Sequence, residues 1–480
     1  MRGRAIVLVL AGLATVVAAL QSHHQREDGR SGATSSAEAE PAAARVTTVT
    51  FATSPEKVAL IDPAVRAFNA RGVRVDGRQV VVRRIVKDSG DAETQIANGQ
   101  FQPVAWSPAS SLWLPLLNYD ADRRLAPSAN ASIARTPLVI AMWEPMARAL
   151  GWPRARLGFG DLLRLARAPG GWAALGHPEF GPFNLVHTNP DLSTAGLSAV
   201  AAEYYAAGAG AALTRGDAVR PAVRARVRAL ERSIVHYGDT TLFVEGQLKR
   251  EGLGYASAVA MEETTLRAFN RTRGRRDRLV AVYPKEGTYF SDSPFVVLSA
   301  PWVSAGEARA ARAFERFLRA YVTPAVAARK GFRPGGDAAA AIAPEHGRDV
   351  AIDLREPRRL LQVPTARALH AIRRTWQLDR KPADIQLVVD VSRSMASADR
   401  LDQAEAGLRG FLRAAAPQDS VGLMTFSDRI SWLAPVRSIR SDGPRLGRLV
   451  DGLVPEGGTA LYDAIAEATS RARAHARTNR

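Results

Sequence analysis

Ile385-Gln-Leu-Val-Val-Asp-Val-Ser-Arg-Ser-Met395 organises the C-terminal part of this chain. A short apolar run ends in one carboxylate and two hydroxyls at alternate positions, Asp390, Ser392 and Ser394. The run reads as a strand feeding a loop of oxygen ligands. Hard divalent cations such as Mg²⁺ prefer oxygen, keep several waters and accept one or two carboxylates. Taken alone, the five residues Asp390–Ser394 are equally a polar loop after a strand. Two downstream pieces bear on the choice. Pro417-Gln-Asp-Ser-Val-Gly-Leu-Met-Thr-Phe-Ser427 reads as a turn and a second strand, and Gly457-Gly-Thr-Ala-Leu-Tyr-Asp463 as a Gly-rich loop opening a helix.

With these pieces in this order, residues 385–480 resemble the von Willebrand factor type A (vWA) family. The resemblance implies a Rossmann-like doubly wound domain. It also implies a metal-ion-dependent adhesion site (MIDAS), in which the D-x-S-x-S loop and a Thr of the later loop hold one Mg²⁺ or Mn²⁺. A carboxylate from a protein partner completes that site. Matched residue by residue, the implied metal ligands are Asp390, Ser392, Ser394 and Thr459. The family's further Asp would fall beyond Arg480, so the expectation is the first half of such a domain. It carries metal affinity no tighter than millimolar and leaves one edge of Ile385–Val391 open to association.

Composition bounds the rest. The 480 residues are 46% hydrophobic and 23% charged, which is ordinary for globular chains. The absence of cysteine excludes disulfides, thiol catalysis, zinc–thiolate sites and a lipid-modified N-terminal cysteine. A net charge of +18 would suit nucleic acid. The positive residues, however, are mostly Arg spread along Ala-rich helices, where they read as solvated faces. No RNP, zinc-finger or basic-region pattern is present, so no nucleic-acid partner is expected.

At the N-terminus, Arg2 and Arg4 precede the uncharged run Ala5–Leu20, which is read as an export signal or a membrane anchor within residues 1–22. Val17-Ala-Ala19 offers a cleavage site. Basic residues ahead of the run place the remainder of the chain outside, on the extracytoplasmic face of the membrane or secreted. Residues 23–45 lack large apolar side chains and read as a disordered tether.

From Val46 strands alternate with helices, the pattern of sheets covered by helices. Strands are expected at Val46–Ala52, Gln79–Val86, Leu138–Met142, Leu279–Pro284 and Phe295–Leu298. Helices are expected at Val58–Asn69, Asp161–Arg167, Ser193–Ala207, Ala222–Val235 and Glu307–Tyr321. Four stretches, Pro103–Ser110, Phe183–Leu197, Gly254–Glu263 and Tyr283–Tyr289, resemble by their order and spacing the bacterial extracellular solute-binding proteins of the two-lobed type II periplasmic kind. The expected fold is therefore α/β throughout: a type II periplasmic-binding-protein-like module over 46–350, then the partial vWA domain over 385–480. Residues 46–140 and 275–350 would make one lobe and 141–274 the other. Residues 351–384 are read as a linker containing an amphipathic helix, Thr365–Trp376.

In that architecture the ligand sits between the lobes. Ser54, Ser107, Ser110, Ser193 and Thr194 stand where a strand or loop hands over to a helix. They offer hydroxyls beside free backbone N–H groups, a setting suited to a small anion. The same residues serve equally as N-caps worth about 1 kcal/mol each. Tyr255 and Glu262 either line the cleft or are structural. The functional expectation is a non-enzymatic binding protein, exported and held at the membrane, that engages a protein partner through a metal. A cytoplasmic chelatase-like or ATPase-associated vWA protein is the alternative, although the chain has no Walker A loop. A serine hydrolase is disfavoured by the lack of a G-x-S-x-G elbow, and the eight histidines show no H-E-x-x-H spacing.

Overall fold

The computed structural model describes residues 5–11, 46–127, 131–208, 213–272, 277–335, 351–397 and 399–478. Of these, residues 46–379 form one compact unit, and 5–11 with 380–478 form another. The expected cleavage site at 17–19 and the tether at 23–45 lie outside the described residues.

The 46–379 unit is built on two mixed sheets. In the first, Val46–Thr53 runs parallel to Arg78–Val86 and Ala105–Ser107, and the short strands Arg74–Val75 and Val296–Val297 add antiparallel edges. Phe51, Phe295 and Phe314 meet with ring centroids 5.4–5.6 Å apart and seal this sheet to its helices. One of those helices, Ala305–Tyr321, starts where Ser304 Oγ accepts from the Glu307 N–H at 3.2 Å and Glu307 Oε2 accepts from the Ser304 N–H at 2.9 Å. That reciprocal cap is written locally in the sequence as Ser-x-x-Glu.

The second sheet has the order Leu279–Val282, Ala134–Trp143, Ala258–Glu262, Leu185–Thr188, Ile234–Gly238. Ala134–Trp143 crosses between the lobes. Its first residues pair with Arg333–Pro334 and Phe290–Ser291, and its last with Leu279–Val282. Leu279–Val282 therefore belongs to the second lobe, not to the first as its place in the sequence suggested. Four consecutive buried residues there need a sheet covered on both faces. The helix expected at Ala222–Val235 runs Pro221–Glu231 and gives way to the strand Ile234–Gly238. β-Branched Ile234 and Val235 favour the extended ladder beside Leu185–Thr188.

The segment read as a linker is also structured. Ala366–Asp379 is a helix whose Leu369, Ile372 and Trp376 are buried in the cores of the 46–379 unit. Its last residue, Asp379, is fully buried and accepts from Arg224 at 2.8 and 3.0 Å and from Arg228 at 2.7 Å.

In the other unit the sheet order is Ala5–Ala11, Ala383–Asp390, Ser420–Phe426, Ile430–Ser438. The first three strands are parallel and the last is an antiparallel hairpin partner. The edge of Ile385–Val391 expected to be open is occupied, because Ala5–Ala11 pairs with Ala383–Val389 along its whole length. An apolar strand with no sheet of its own satisfies its N–H and C=O groups there. Among the described residues no helix is long and apolar enough to cross a membrane. The helices Arg400–Ala414 and Ile439–Asp451 cover the sheet through Leu408, Leu446 and Val450, while Leu461–Thr478 packs against Val388, Met424 and Phe426 through Ala464 and Ala468.

Candidate functional site

Five helix starts converge on one cleft between the lobes of the 46–379 unit. Ser54 precedes the turn Pro55–Lys57, Asp88 precedes Ser89–Ala97, Ser193 precedes Thr194–Ala206, Thr240 precedes Thr241–Glu251, and Glu262 precedes Glu263–Arg271. The cleft they line is narrow, with room for about one water molecule, and Glu56 and Ala109 add to its wall. The lobes touch beside it. Trp113 Nε1 donates to Thr194 Oγ1 at 2.7 Å, and the Gly90 N–H donates to Leu192 O at 2.8 Å. A Cβ on Gly90 would fall 2.0 Å from Asp191 O, so this approach requires glycine.

Of the residues singled out in the sequence, Ser54, Ser193, Thr194 and Glu262 line this cleft. Ser54 and Ser193 make no side-chain capping bond, so neither is engaged as an N-cap; the Ser54 hydroxyl donates to Glu56. The structure does not bring Ser107, Ser110 and Tyr255 to the wall. Ser107 Oγ accepts from Lys57 Nζ at 2.7 Å and donates to Pro294 O at 2.7 Å, so it is spent on a fully buried lysine. That lysine also donates to the carbonyls of Ser107 and Pro108, and burial lowers its pKa to about 7. Ser110 bridges the Leu112 N–H and Phe290 O, and the Tyr255 hydroxyl pairs with His236 Nδ1 at 2.7 Å.

Sequence reading missed Glu56, Asp88, Ser89, Thr240 and Thr241. The signal was present, since Ser54-Pro-Glu, Asp88-Ser and Thr240-Thr each head a helical run in the way helix starts do. They change the chemistry of the site. Helix N-termini favour negative charge, but Glu56, Asp88 and Glu262 already supply it. Burial, followed by repulsion from Glu56, raises Asp88 to about 6 and Glu262 to about 7. Glu262 is 2% exposed, and its Oε2 has no hydrogen-bond partner among the described residues. A cleft lined this way favours a donor or a cation over the anion expected from hydroxyls alone.

A larger groove is lined by Arg148, Trp152, Arg278, Tyr283 and Arg355 among others. Three of its arginines are already paired, Arg148 and Arg278 with Glu144 and Arg355 with Asp353. It gathers no comparable set of helix starts.

The model of the family described as bacterial extracellular solute-binding protein matches residues 49–333, more than half of the chain. The chain belongs to that family. The von Willebrand factor type A domain model matches residues 385–480. Uncharacterized protein Rv1836c of Mycobacterium tuberculosis is 28% identical over 299 residues, covering 60% of this chain and 42% of its own length. The chain thus spans less than half of that relative. Among solved structures, a periplasmic thiamin binding protein is 12% identical, covering 69% of this chain and 96% of its own, with TM-score 0.48. The sulfate-binding protein SubI from Mycobacterium tuberculosis H37Rv is 19% identical, covering 66% and 94%, with TM-score 0.41.

In the vWA unit, Asp390 ends the strand Ala383–Asp390, and its Oδ1 accepts from the Ser392 N–H at 2.7 Å. The hydroxyls of Ser392 and Ser394 lie 3.1 Å apart. The Thr459 loop is tied to them through backbone bonds: the Arg393 N–H donates to Gly457 O at 3.2 Å and the Glu456 N–H to Val391 O at 2.7 Å. Thr459 itself is exposed. Gly457 has φ +69°, and a Cβ there would fall 2.3 Å from Asp428 Oδ1. Asp428 is thus a second carboxylate beside this loop, one that the sequence pattern did not single out.

Proposed function

We propose that the 46–379 unit captures a small solute bearing an ammonium or similar cationic donor group. The reading rests most on Glu262, a buried carboxylate with one oxygen unpartnered, set in a cleft that also holds Glu56 and Asp88. The role is binding rather than catalysis, and it belongs outside the cytoplasm, as the family description and the basic residues ahead of Ala5–Leu20 both support. The same apolar run would hold the protein at the membrane; paired as a strand, as Ala5–Ala11 is, it would instead complete the vWA sheet.

The sign of the pH dependence follows from Asp88 and Glu262. Their native pKa values, about 6 and about 7, lie above the unfolded values of 3.8 and 4.5. Without ligand, the stability they contribute is full below about pH 4 and is lost as pH rises through 6 to 7. Attraction for a cation runs the other way and grows as both carboxyls ionise. Millimolar ammonium-bearing solutes should therefore raise the melting temperature more at pH 8 than at pH 5.5, while sulfate, phosphate and carboxylates should leave it unchanged. A response to oxyanions, or a cation response that weakens as pH rises, would overturn this reading.

The vWA unit is proposed to dock a protein partner through Mg²⁺ or Mn²⁺ on Asp390, Ser392, Ser394 and Thr459. Adjacent ligands of an octahedral ion at about 2.1 Å are about 3.0 Å apart, and the 3.1 Å between the two serine hydroxyls suits that spacing. When bound, the ion supplies a coordination position for a partner's carboxylate. With a Kd of about 1 mM, 10 mM Mg²⁺ should stabilise this unit by about 1.4 kcal/mol. Asp390→Ala should abolish that increment in thermal unfolding, and an increment that survives the substitution would place the ion elsewhere.

A further inference from the structure

His187, Glu203 and Glu231 form a cluster in the second lobe that the cleft does not use. His187 comes from the strand Leu185–Thr188, Glu203 from the helix Thr194–Ala206 and Glu231 from the end of Pro221–Glu231. All three are buried, at 0, 2 and 0% exposure, with one ligand atom of each within 4.8 Å of the others.

Three polar groups turn toward one another there. His187 Nδ1 lies 2.7 Å from Thr188 O; a carbonyl only accepts, so Nδ1 carries the proton. Nε2 faces Glu231 Oε1 at 3.2 Å, where it meets the carboxylate either as an N–H or as a lone pair. Glu231 is fixed by donors on its far side, Trp376 Nε1 at 2.8 Å to Oε1 and the Tyr237 hydroxyl at 2.6 Å to Oε2. Among the described residues no donor reaches either oxygen of Glu203. Its neighbour is the Glu231 carboxylate, and burial together with that neighbour pushes the Glu203 carboxyl well above the usual range. Two carboxylates and an imidazole lone pair can share this space only around protons or around a cation.

We propose that His187, Glu203 and Glu231 bind a divalent transition metal, with Zn²⁺ as the best match. One imidazole and two carboxylates make a donor set zinc accepts, with bonds of about 2.0–2.2 Å, whereas Mg²⁺ and Ca²⁺ require more oxygens and more water than a dry core provides. Two ligands on a tetrahedral zinc stand about 3.3 Å apart, close to the 3.2 Å between His187 Nε2 and Glu231 Oε1. The outer contacts are those a zinc site uses. A backbone carbonyl holds the imidazole tautomer, and an indole and a phenol orient one carboxylate. Binding would tie one strand to two helices.

The test uses the full chain expressed in medium supplemented with ZnCl₂, purified without unfolding and analysed by mass spectrometry for metals. The result expected is about one zinc per chain attributable to this site, absent from Glu203→Gln. Glutamine preserves the shape and can still donate to Glu231. If only protons occupy the cluster, Glu203→Gln therefore leaves both metal content and melting temperature unchanged, and the proposal fails. Zinc retained undiminished by Glu203→Gln would equally overturn it, because the metal would then sit elsewhere. Should that variant not fold, the wild-type chain grown with CoCl₂ decides. A strong visible absorption of tetrahedral cobalt is expected, and its absence overturns the site.

Discussion

Trp376→Ala should destabilise the 46–379 unit by about 3–5 kcal/mol, the range for truncating a buried aromatic side chain. Trp376 is 1% exposed, its ring meets Tyr237 edge-on at 5.3 Å, and its indole N–H is bonded to Glu231. Helix Ala366–Asp379 thereby closes over the second lobe, although a solute-binding module read from sequence ends before it. Denaturant unfolding of the wild type and the variant measures the effect. A loss below about 0.5 kcal/mol is what an exposed tether would give, and it would return residues 351–384 to the role of a linker.

Glu263→Ala should cost a similar amount, about 3–5 kcal/mol, for an electrostatic reason. Glu263 is fully buried and accepts from Arg333 Nε at 3.0 Å, from Arg333 Nη2 at 2.5 Å and from the Tyr283 hydroxyl. Arg333 is only 13% exposed, so deleting the carboxylate strands a guanidinium in the interior. The double variant Glu263→Ala with Arg333→Met removes both charges and should recover most of the loss. A coupling above about 2 kcal/mol in the cycle is expected. Additive losses would mean that the pair contributes packing alone.

Much of the architecture could be read from local pattern. Val46–Thr53, Arg78–Val86 and Ala383–Asp390 are apolar, β-branched runs whose extended state needs no tertiary information. The helix expected at Glu307–Tyr321 begins two residues earlier, at Ala305. What could not be read depended on distant partners. Nothing near Leu279 says that it will pair with Trp143 rather than join the first sheet, and nothing near Ala5 indicates that Ala383–Val389 offers it an edge. The hydroxyls of the cleft were legible because helix starts have a sequence signature. Its charge was not, because Glu56, Asp88 and Glu262 are far apart in the chain and Glu56 repels the other two only once folded. For the same reason His187, Glu203 and Glu231 are unremarkable in sequence, and only the packing of a strand against two helices brings them together.

The most direct measurement is a calorimetric titration, at pH 8, of the wild type and of Glu262→Gln with the ammonium-bearing solute that most raises the melting temperature. A hydrogen bond from a charged donor to a buried carboxylate is worth about 1.5–3 kcal/mol. Glu262→Gln should therefore weaken binding by roughly 10- to 150-fold while the protein remains folded. Unchanged affinity in that variant, or tight binding of an oxyanion by the wild type, would contradict a cation-selective cleft.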